Sequence, residues 1–141
     1  MIDNSIDQLR RDEGEVLHAY QDHLGYWPIG VGRLIDKRRG GGISPEESAY
    51  LLNNDITKRE AQLDKRLPWW RELDPVRRAV LLNMSFQLVV DGLLGFVNTL
   101  ALVKAGRYTD AARAMLQSKW AHQTPNRAHR LAEQMRTGIW Q

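Results

Sequence analysis

Residues 44–66 of this chain of 141 residues read SPEESAYLLNNDITKREAQLDKR, and the organisation of the fold follows from this segment. It starts with a Ser, a Pro at the first helical position and a Glu three residues after the Ser, which is the capping-box pattern of a helix N-terminus. Apolar residues then recur at helical spacing as far as Arg66, and Pro68 ends the run. At about 1.5 Å per residue this helix reaches roughly 30 Å, which is long enough to connect two lobes.

On the N-terminal side of this helix, the sequence predicts one short helix and a small sheet. Residues 4–11 carry Ile6 and Leu9 at helical spacing, and Gly14 follows as a stop signal. Residues 16–35 are rich in β-forming side chains separated by glycines, which predicts strands. Residues 36–42 contain three consecutive glycines and predict a loop.

On the C-terminal side, the sequence predicts helices alone. Their predicted limits are Asp74-Pro75 to about Leu88, residues 96–105, Thr109-Asp110 to about Trp120, and Thr124-Pro125 to about Arg136. The predicted class is therefore α+β and mainly α, in one domain over residues 1–141. Within it we expect a small antiparallel sheet lobe at about 13–43, a connecting helix at about 44–66, and a helical lobe formed by about 67–141 with 1–12.

The composition is that of an ordinary globular domain, with 43% hydrophobic and 26% charged residues. The chain has no cysteine, which excludes disulfides and thiolate metal sites, and the four histidines have no ligand spacing. We therefore expect no metal and no cofactor. No run approaches the roughly 20 apolar residues of a membrane span, and the start lacks the pattern of a secretory signal. We expect no membrane insertion.

Charge is distributed unevenly along the chain. Residues 1–70 carry 10 basic and 12 acidic side chains, whereas residues 71–141 carry 10 and 5. The second half therefore favours a polyanion, and nucleic acid, anionic lipid and bacterial wall polymers all satisfy that description.

Glu13 and Asp22 are a candidate pair for glycoside hydrolysis. Glu13 ends the first predicted helix, and Asp22 falls in a turn of the strand region nine residues later. This reaction needs one protonated acid for the leaving oxygen and one ionised partner that handles water or the sugar cation. Spacing alone does not select this pair, because 17 acidic residues form many pairs.

The sequence around this pair resembles the active-site region of the T-even phage lysozymes and related phage endolysins. The resemblance is carried by Arg11-Asp12-Glu13-Gly14, Ala19-Tyr20-Gln21-Asp22 and Gly25-Tyr26-Trp27-Pro28-Ile29-Gly30-Val31-Gly32. Later segments resemble the family in the family's order: Asp74-Pro75-Val76-Arg77-Arg78-Ala79, Asn83-Met84-Ser85-Phe86-Gln87, Gly95-Phe96-Val97-Asn98-Thr99-Leu100, Ser118-Lys119-Trp120, Gln123-Thr124-Pro125-Asn126-Arg127-Ala128 and Arg136-Thr137-Gly138. The resemblance covers almost the whole chain and implies the two-lobe lysozyme fold.

The resemblance implies an inverting muramidase, which cleaves the β-1,4 bond between N-acetylmuramic acid and N-acetylglucosamine. Glu13 matches the general acid, Asp22 the carboxylate that orients water, and Arg127 the arginine that pairs with the acid. The residues that match the lining of the saccharide cleft are Leu34, Phe86, Gln87 and Thr99. The implied partner is bacterial peptidoglycan, bound by a monomer. The implied route is accumulation in the host bacterial cytoplasm and release to the wall through a separate pore.

Two positions depart from the family pattern. Pro28 replaces the family's threonine, whose hydroxyl helps to hold the attacking water, and proline has neither a hydroxyl nor a backbone N–H. We therefore expect reduced or absent activity. Arg33 replaces a histidine, and we expect its ion pair with Asp55 to be preserved without titration near neutral pH.

Two other functions compete with the enzyme. An inert lysozyme-like module would bind peptidoglycan in the same cleft, because Pro28 disables the attack of water. A helical nucleic-acid binder would use the basic second half and would bind DNA with a strong salt dependence. The second alternative gains nothing from Glu13, Asp22 or the glycine-rich strands, so we expect no nucleic-acid partner.

Overall fold

The computed structural model describes residues 2–14, 28–29, 33–34 and 43–141, and these are mainly helical, which confirms the predicted mainly α class. In order along the chain, the described elements are α1 (Ile2–Glu13), β1 (Pro28–Ile29), β2 (Arg33–Leu34), α2 (Pro45–Arg66), a 3-10 helix (Pro68–Glu72), α3 (Pro75–Leu94), α4 (Val97–Lys104), α5 (Tyr108–Leu116), α6 (Lys119–Gln123) and α7 (Pro125–Thr137).

The described part of the predicted strand region is one short antiparallel pair. Pro28 of β1 lies opposite Leu34 of β2, and Ile29 lies opposite Arg33. Two residues in each strand do not make a lobe, so the small sheet lobe stays a prediction. The predicted loop over residues 36–42 lies outside the described residues.

The chain divides into two compact units, Ile2–Lys58 and Arg59–Gln141. Among the described residues of the first unit, the buried apolar side chains are those of Ile6, Leu9, Leu52 and Ile56. In the second unit, the largest fully buried side chains are those of Leu63, Trp70, Leu81, Leu82, Met84, Leu93, Met115, Leu131 and Met135. The lobe boundaries that the sequence predicts stay predictions.

Helix α2 begins and ends where the sequence predicts. The Ser44 amide donates to Oε1 of Glu47 at 3.1 Å, and the Glu47 amide donates to Oγ of Ser44 at the same distance. This reciprocal pair is the capping box, and it satisfies two backbone donors at the helix start. At the other end, Leu67 separates the helix from the 3-10 helix that begins at Pro68.

Helix α3 begins as predicted but continues past its predicted end. Asp74 caps it by accepting the Arg77 amide at 3.1 Å. The helix is broken at Val89, which has φ 53° and ψ 171°, and it then resumes as far as Leu94. The predicted end near Leu88 therefore coincides with the break in helical geometry, but it is not the end of the element.

Helix α7 runs antiparallel to α3 and is fixed to it by side-chain hydrogen bonds to backbone carbonyls. Gln134 donates to the carbonyl of Val76 at 2.9 Å. Arg77 donates from Nε to the Met135 carbonyl at 2.7 Å and from a terminal nitrogen to the Arg136 carbonyl at 3.1 Å. The two bonds from Arg77 satisfy carbonyls that the last turn of α7 leaves without helical partners.

The predicted helix from Thr109-Asp110 to Trp120 is wrong in both limits. Helix α5 covers Tyr108–Leu116, its N-cap is Arg107, and α6 starts separately at Lys119. Ser118 causes the separation, because its hydroxyl accepts the Ala121 amide at 3.1 Å and donates to the Met115 carbonyl at 2.7 Å. It therefore ends one helix and caps the next.

Helix α7 starts at the predicted Pro125, although Thr124 does not cap it with its side chain. The Thr124 hydroxyl donates instead to the Trp120 carbonyl, at 3.0 Å. Across the described ranges, no single helix is long and apolar enough to cross a membrane. Helices α3 and α4 together have the necessary length and composition but are bent by 103°.

Candidate functional site

Glu13, the predicted general acid, is the last residue of α1 and is half-buried. Gly14 follows in the left-handed region with φ 74°, and its amide donates to the Arg10 carbonyl at 3.0 Å. This is the helix ending that glycine favours, because it has no Cβ to clash in that conformation. The helix therefore fixes the backbone from which the Glu13 side chain extends.

Four other residues with predicted roles fall in the strand region. Asp22 lies outside the described residues, so its predicted position across from Glu13 stays a prediction. Pro28 and Leu34 are described only through their backbones, which lie opposite each other in the strand pair. The Arg33 side chain also lies outside the described part of the chain, and its ion pair with Asp55 stays a prediction.

Phe86 and Gln87 lie on α3, directly before its break. The indole N–H of Trp120 donates to Oε1 of Gln87 at 2.8 Å, and Trp120 is buried. The Arg59 guanidinium lies 5.4 Å from the centre of the Phe86 ring, at cation–π distance. Because Trp120 uses the amide oxygen of Gln87, the amide hydrogens remain as its donors.

Thr99 lines a cavity of about 350 Å³ at the start of α4. Other residues of its lining are Phe96, Asn98, Gln117 and Ser118. The ring of Phe96 meets Trp120 edge to face, with centres 5.9 Å apart. Trp120 thus connects the Gln87 amide to this cavity. An aromatic ring beside amide and hydroxyl groups is a suitable lining for a sugar, which presents both apolar faces and hydroxyls.

Sequence reasoning assigned no role to Asn98, Gln117 or Ser118 in this cavity. Asn98 and Ser118 lie inside segments that resemble the family, so the signal for them was present. Gln117 lies just after α5, and its approach to Asn98 depends on how α4 and α5 pack. No local pattern contains that information.

Arg127, the predicted partner of the acid, lies in the first turn of α7 with only 9% of its surface exposed. Its Nε donates to Oδ1 of Asn83 at 2.9 Å, and a terminal nitrogen donates to the Asn83 carbonyl at 3.3 Å. A buried guanidinium needs such partners because its charge has lost water. Asn83 therefore fixes the direction of Arg127, and the predicted pairing with Glu13 stays a prediction.

The described residues contain no group of three or more acidic or histidine side chains that could hold a metal ion. The structure brings together Gln87, Trp120 and the Thr99 cavity in the second unit. The bond to Asn83 also holds Arg127 against α3, the helix that carries Gln87. Glu13 lies in the first unit.

The sequence is similar to known lysozymes along most of its length. A sequence model of the phage lysozyme family matches residues 10–136. The chain is 30% identical over 164 aligned positions to probable T4-type lysozyme 1 of Dictyostelium discoideum, covering 98% of this chain and 96% of that protein. It is 27% identical to probable T4-type lysozyme 2 of the same organism, again covering 98% and 96%.

A third relative is a larger protein. The pre-baseplate central spike protein Gp5 of Enterobacteria phage T4 is 31% identical over 157 positions, which cover 94% of this chain. The match spans only 27% of the length of that spike protein.

The chain belongs to the phage lysozyme family, because the family match covers most of its length. Membership supports peptidoglycan hydrolysis as the function at the level of the family, with a glycoside hydrolase as the class of enzyme.

Proposed function

We propose that this protein hydrolyses the β-1,4 bond between N-acetylmuramic acid and N-acetylglucosamine in peptidoglycan, with inversion at the anomeric carbon. Glu13 gives its proton to the leaving oxygen, and Asp22 orients the attacking water. An inverting mechanism places the two carboxyl groups roughly 6.5–9.5 Å apart, which leaves room for that water.

The observation that carries the proposal is the family match over residues 10–136, which includes every predicted site position. The geometry of the second unit supports it independently. Gln87 is oriented by Trp120, and the adjoining cavity offers Thr99, Asn98 and Gln117 as hydrogen-bonding groups. These groups suit N-acetylated sugars, which present amide and hydroxyl groups to a protein.

We propose further that Pro28 lowers the rate of the reaction. The position belongs to β1, and its residue has no hydroxyl that can hold water beside Asp22. Protonation of the leaving group by Glu13 does not depend on that hydroxyl. The expected defect therefore lies in the attack of water, and binding of the glycan is retained.

Replacing Pro28 tests this proposal. We expect Pro28→Thr to raise the rate of lysis of permeabilised Gram-negative cells by about a hundredfold or more, the scale of a well-placed proton-transfer or water-positioning group. The matched control is Glu13→Gln in the Pro28→Thr chain, which removes the acid and should abolish the gain. Lysis by the Pro28→Thr variant that is no faster than lysis by the unaltered chain would contradict the proposed defect.

A second measurement tests the stereochemistry. Nuclear magnetic resonance spectra taken early in the digestion of purified glycan by Pro28→Thr should show the α-anomer as the first product. First appearance of the β-anomer would rule out the inverting mechanism while leaving the hydrolase in place.

The second candidate function is a peptidoglycan-binding module without hydrolytic activity. Pro28 is the specific observation in its favour. Co-sedimentation of the unaltered chain with purified wall sacculi, with no release of reducing sugar, would support this candidate. Release of reducing sugar would support the enzyme.

We also propose that the protein acts as a monomer, accumulates in the host bacterial cytoplasm and reaches the wall through a pore made by another protein. Sedimentation at increasing concentration tests the first part. Cell fractionation before and after opening of the inner membrane tests the second.

A further inference from the structure

A second cavity, separate from the one at Thr99, lies beside the C-terminal half of α2. It has a volume of about 460 Å³. Its lining comes from Arg59, Gln62, Lys65 and Arg66 of α2 and from Val89, Val90 and Asp91 of α3. We call it the basic groove. Neither the proposed hydrolysis nor the family resemblance assigns it a role.

The basic groove carries more positive than negative charge. Among its described lining residues, three are cations and Asp91 is the one acid. Asp91 accepts a hydrogen bond from Arg66 at 3.2 Å, and both side chains of this pair are at least half exposed. Lys65 has no ion-pair partner within the described ranges.

The helix dipole does not explain this whole set of cations. Basic side chains in the last turn of a helix interact favourably with its negative end, and that accounts for Lys65 and Arg66. The effect is confined to the last turn, and Arg59 lies about two turns earlier. Its guanidinium reaches Gln62 at 3.4 Å and the ring of Phe86. The helix dipole therefore does not account for Arg59, which lines the groove together with Lys65 and Arg66 of the same helix.

The opposite side of the groove contains the break in α3. Val89 has φ 53° and ψ 171° and is 54% exposed. Branched side chains are strongly disfavoured at positive φ, so this backbone is strained. Strained residues of this kind concentrate at ligand sites, where the surrounding structure holds them in place. The strain at Val89 is thus a second observation, independent of charge, that points to the groove.

We propose that the basic groove binds an oxyanion, a phosphate or carboxylate group of a polyanionic ligand. Arg59 and Lys65 donate hydrogen bonds to its oxygens, and Asp91 keeps Arg66 oriented at the edge. A guanidinium presents paired N–H groups that match two oxygens of one phosphate or carboxylate. The apolar side chains of Val89 and Val90 exclude water on one side and strengthen these bonds.

Titration of the whole chain with simple anions tests the proposal. Inorganic phosphate and citrate are added separately, in about 0.1 M sodium chloride to screen weak surface charges, while the backbone amide resonances are followed. We expect saturable shifts in residues 59–66 and 89–91 with at least one anion. Saturation by phosphate alone identifies the ligand group as a phosphate, and saturation by citrate alone identifies it as a carboxylate.

Charge-removing variants separate a site from general attraction. Lys65→Gln and Arg59→Gln should each weaken binding roughly threefold, the scale of one exposed ionic contact. The matched control is Lys104→Gln, which removes one exposed charge in the last turn of α4, outside the groove. Amide resonance shifts that never saturate, or an equal loss of anion binding in the Lys104→Gln chain, would overturn the proposal. The readout is binding, so its failure is distinct from a failure of wall hydrolysis.

Discussion

Helices α2 and α3 have similar lengths of 22 and 20 residues, but different forces determine their shapes. Helix α2 is mostly polar and runs without interruption between the two ends that its sequence marks. Helix α3 is far more apolar, buries every residue from Ala79 to Ser85, and is broken at Val89. The two ends of α2 follow local sequence signals, whereas the shape of α3 is set by the surfaces on which it packs.

The difference matters for the candidate site, because α3 carries two of its residues, Phe86 and Gln87. Asn83 fixes Arg127, and Gln87 accepts the Trp120 indole, both within the two turns before the break. The orientation of the proposed sugar-binding surface therefore depends on tertiary packing. Substitutions in the core of α3 should affect both stability and activity, whereas surface changes on α2 should affect neither strongly.

The largest expected effect is that of a cavity in α3. Met84 is fully buried, so Met84→Ala should lower the free energy of unfolding by about 2–5 kcal/mol. The matched change on α2 is Tyr50→Ala, whose side chain is 68% exposed and should shift stability by less than about 0.5 kcal/mol. Urea unfolding followed by circular dichroism measures both. Equal losses in the free energy of unfolding would show that α3 does not depend on core packing more than α2 does.

Sequence reasoning succeeded where a local signal was enough. The capping box at Ser44 and the Asp74-Pro75 start are both confirmed, since each depends on groups within one helical turn. It missed Ser118 as a cap, although a Ser at that place is a cap signal, because apolar residues continue on both sides. It also missed the break at Val89, since local preference argues against a valine at positive φ.

The candidate site was predictable in part. The sequence selected Gln87 and Arg127 through family segments, and their local placement follows from the helices that carry them. Their partners could not be derived, because Asn83 lies 44 residues from Arg127 and Trp120 lies 33 residues from Gln87. Contacts over such distances arise from helix packing, which no single stretch of sequence encodes.

The next effect in size comes from relief of the strain in α3. Val89→Gly should raise the free energy of unfolding by about 1–2 kcal/mol. Relief of a strained backbone is worth about 1–3 kcal/mol, and the entropy of an added glycine removes roughly 0.5–1 kcal/mol. Little burial is lost, because Val89 is 54% exposed. Thermal unfolding measures the gain.

A control for this change keeps the Cβ atom. Val89→Ala retains the clash of Cβ at positive φ and should gain clearly less than the glycine variant. If glycine destabilises the protein as much as it would inside a regular helix, the break in α3 is not a strained one.

A smaller effect is expected at the start of α2. Ser44→Ala removes the side-chain acceptor for the Glu47 amide and should lower the free energy of unfolding by about 1 kcal/mol. Thr57→Ala is the matched control, because its hydroxyl only bonds back to the Asn53 carbonyl within the same helix. It should change stability by less than about 0.5 kcal/mol in urea unfolding. Equal losses in both variants would show that the capping box does not set this helix end.

The smallest effect lies near the other end of α2 and depends on pH. Asp64 accepts hydrogen bonds from Nε of Arg71 at 2.7 Å and from the indole of Trp70 at 2.6 Å. The bond from Arg71, followed by that from Trp70, holds the pKa of Asp64 below its ordinary value of 3.8. The carboxylate is thus more acidic in the folded state than in the unfolded state. Its contribution to stability is complete above the unfolded pKa and is lost as the pH falls through the folded pKa.

Comparing the unaltered chain with Asp64→Asn reveals this contribution. The difference between their free energies of unfolding should be constant from about pH 5 to pH 7 and should shrink below about pH 4. We expect a modest difference, because the pair is partly solvated. With Arg71→Gln in both chains the pH dependence should weaken, since Arg71 is the main cause of the lowered pKa. A difference that stays constant down to about pH 2.5 would mean that this carboxylate does not stabilise the end of α2 through its charge.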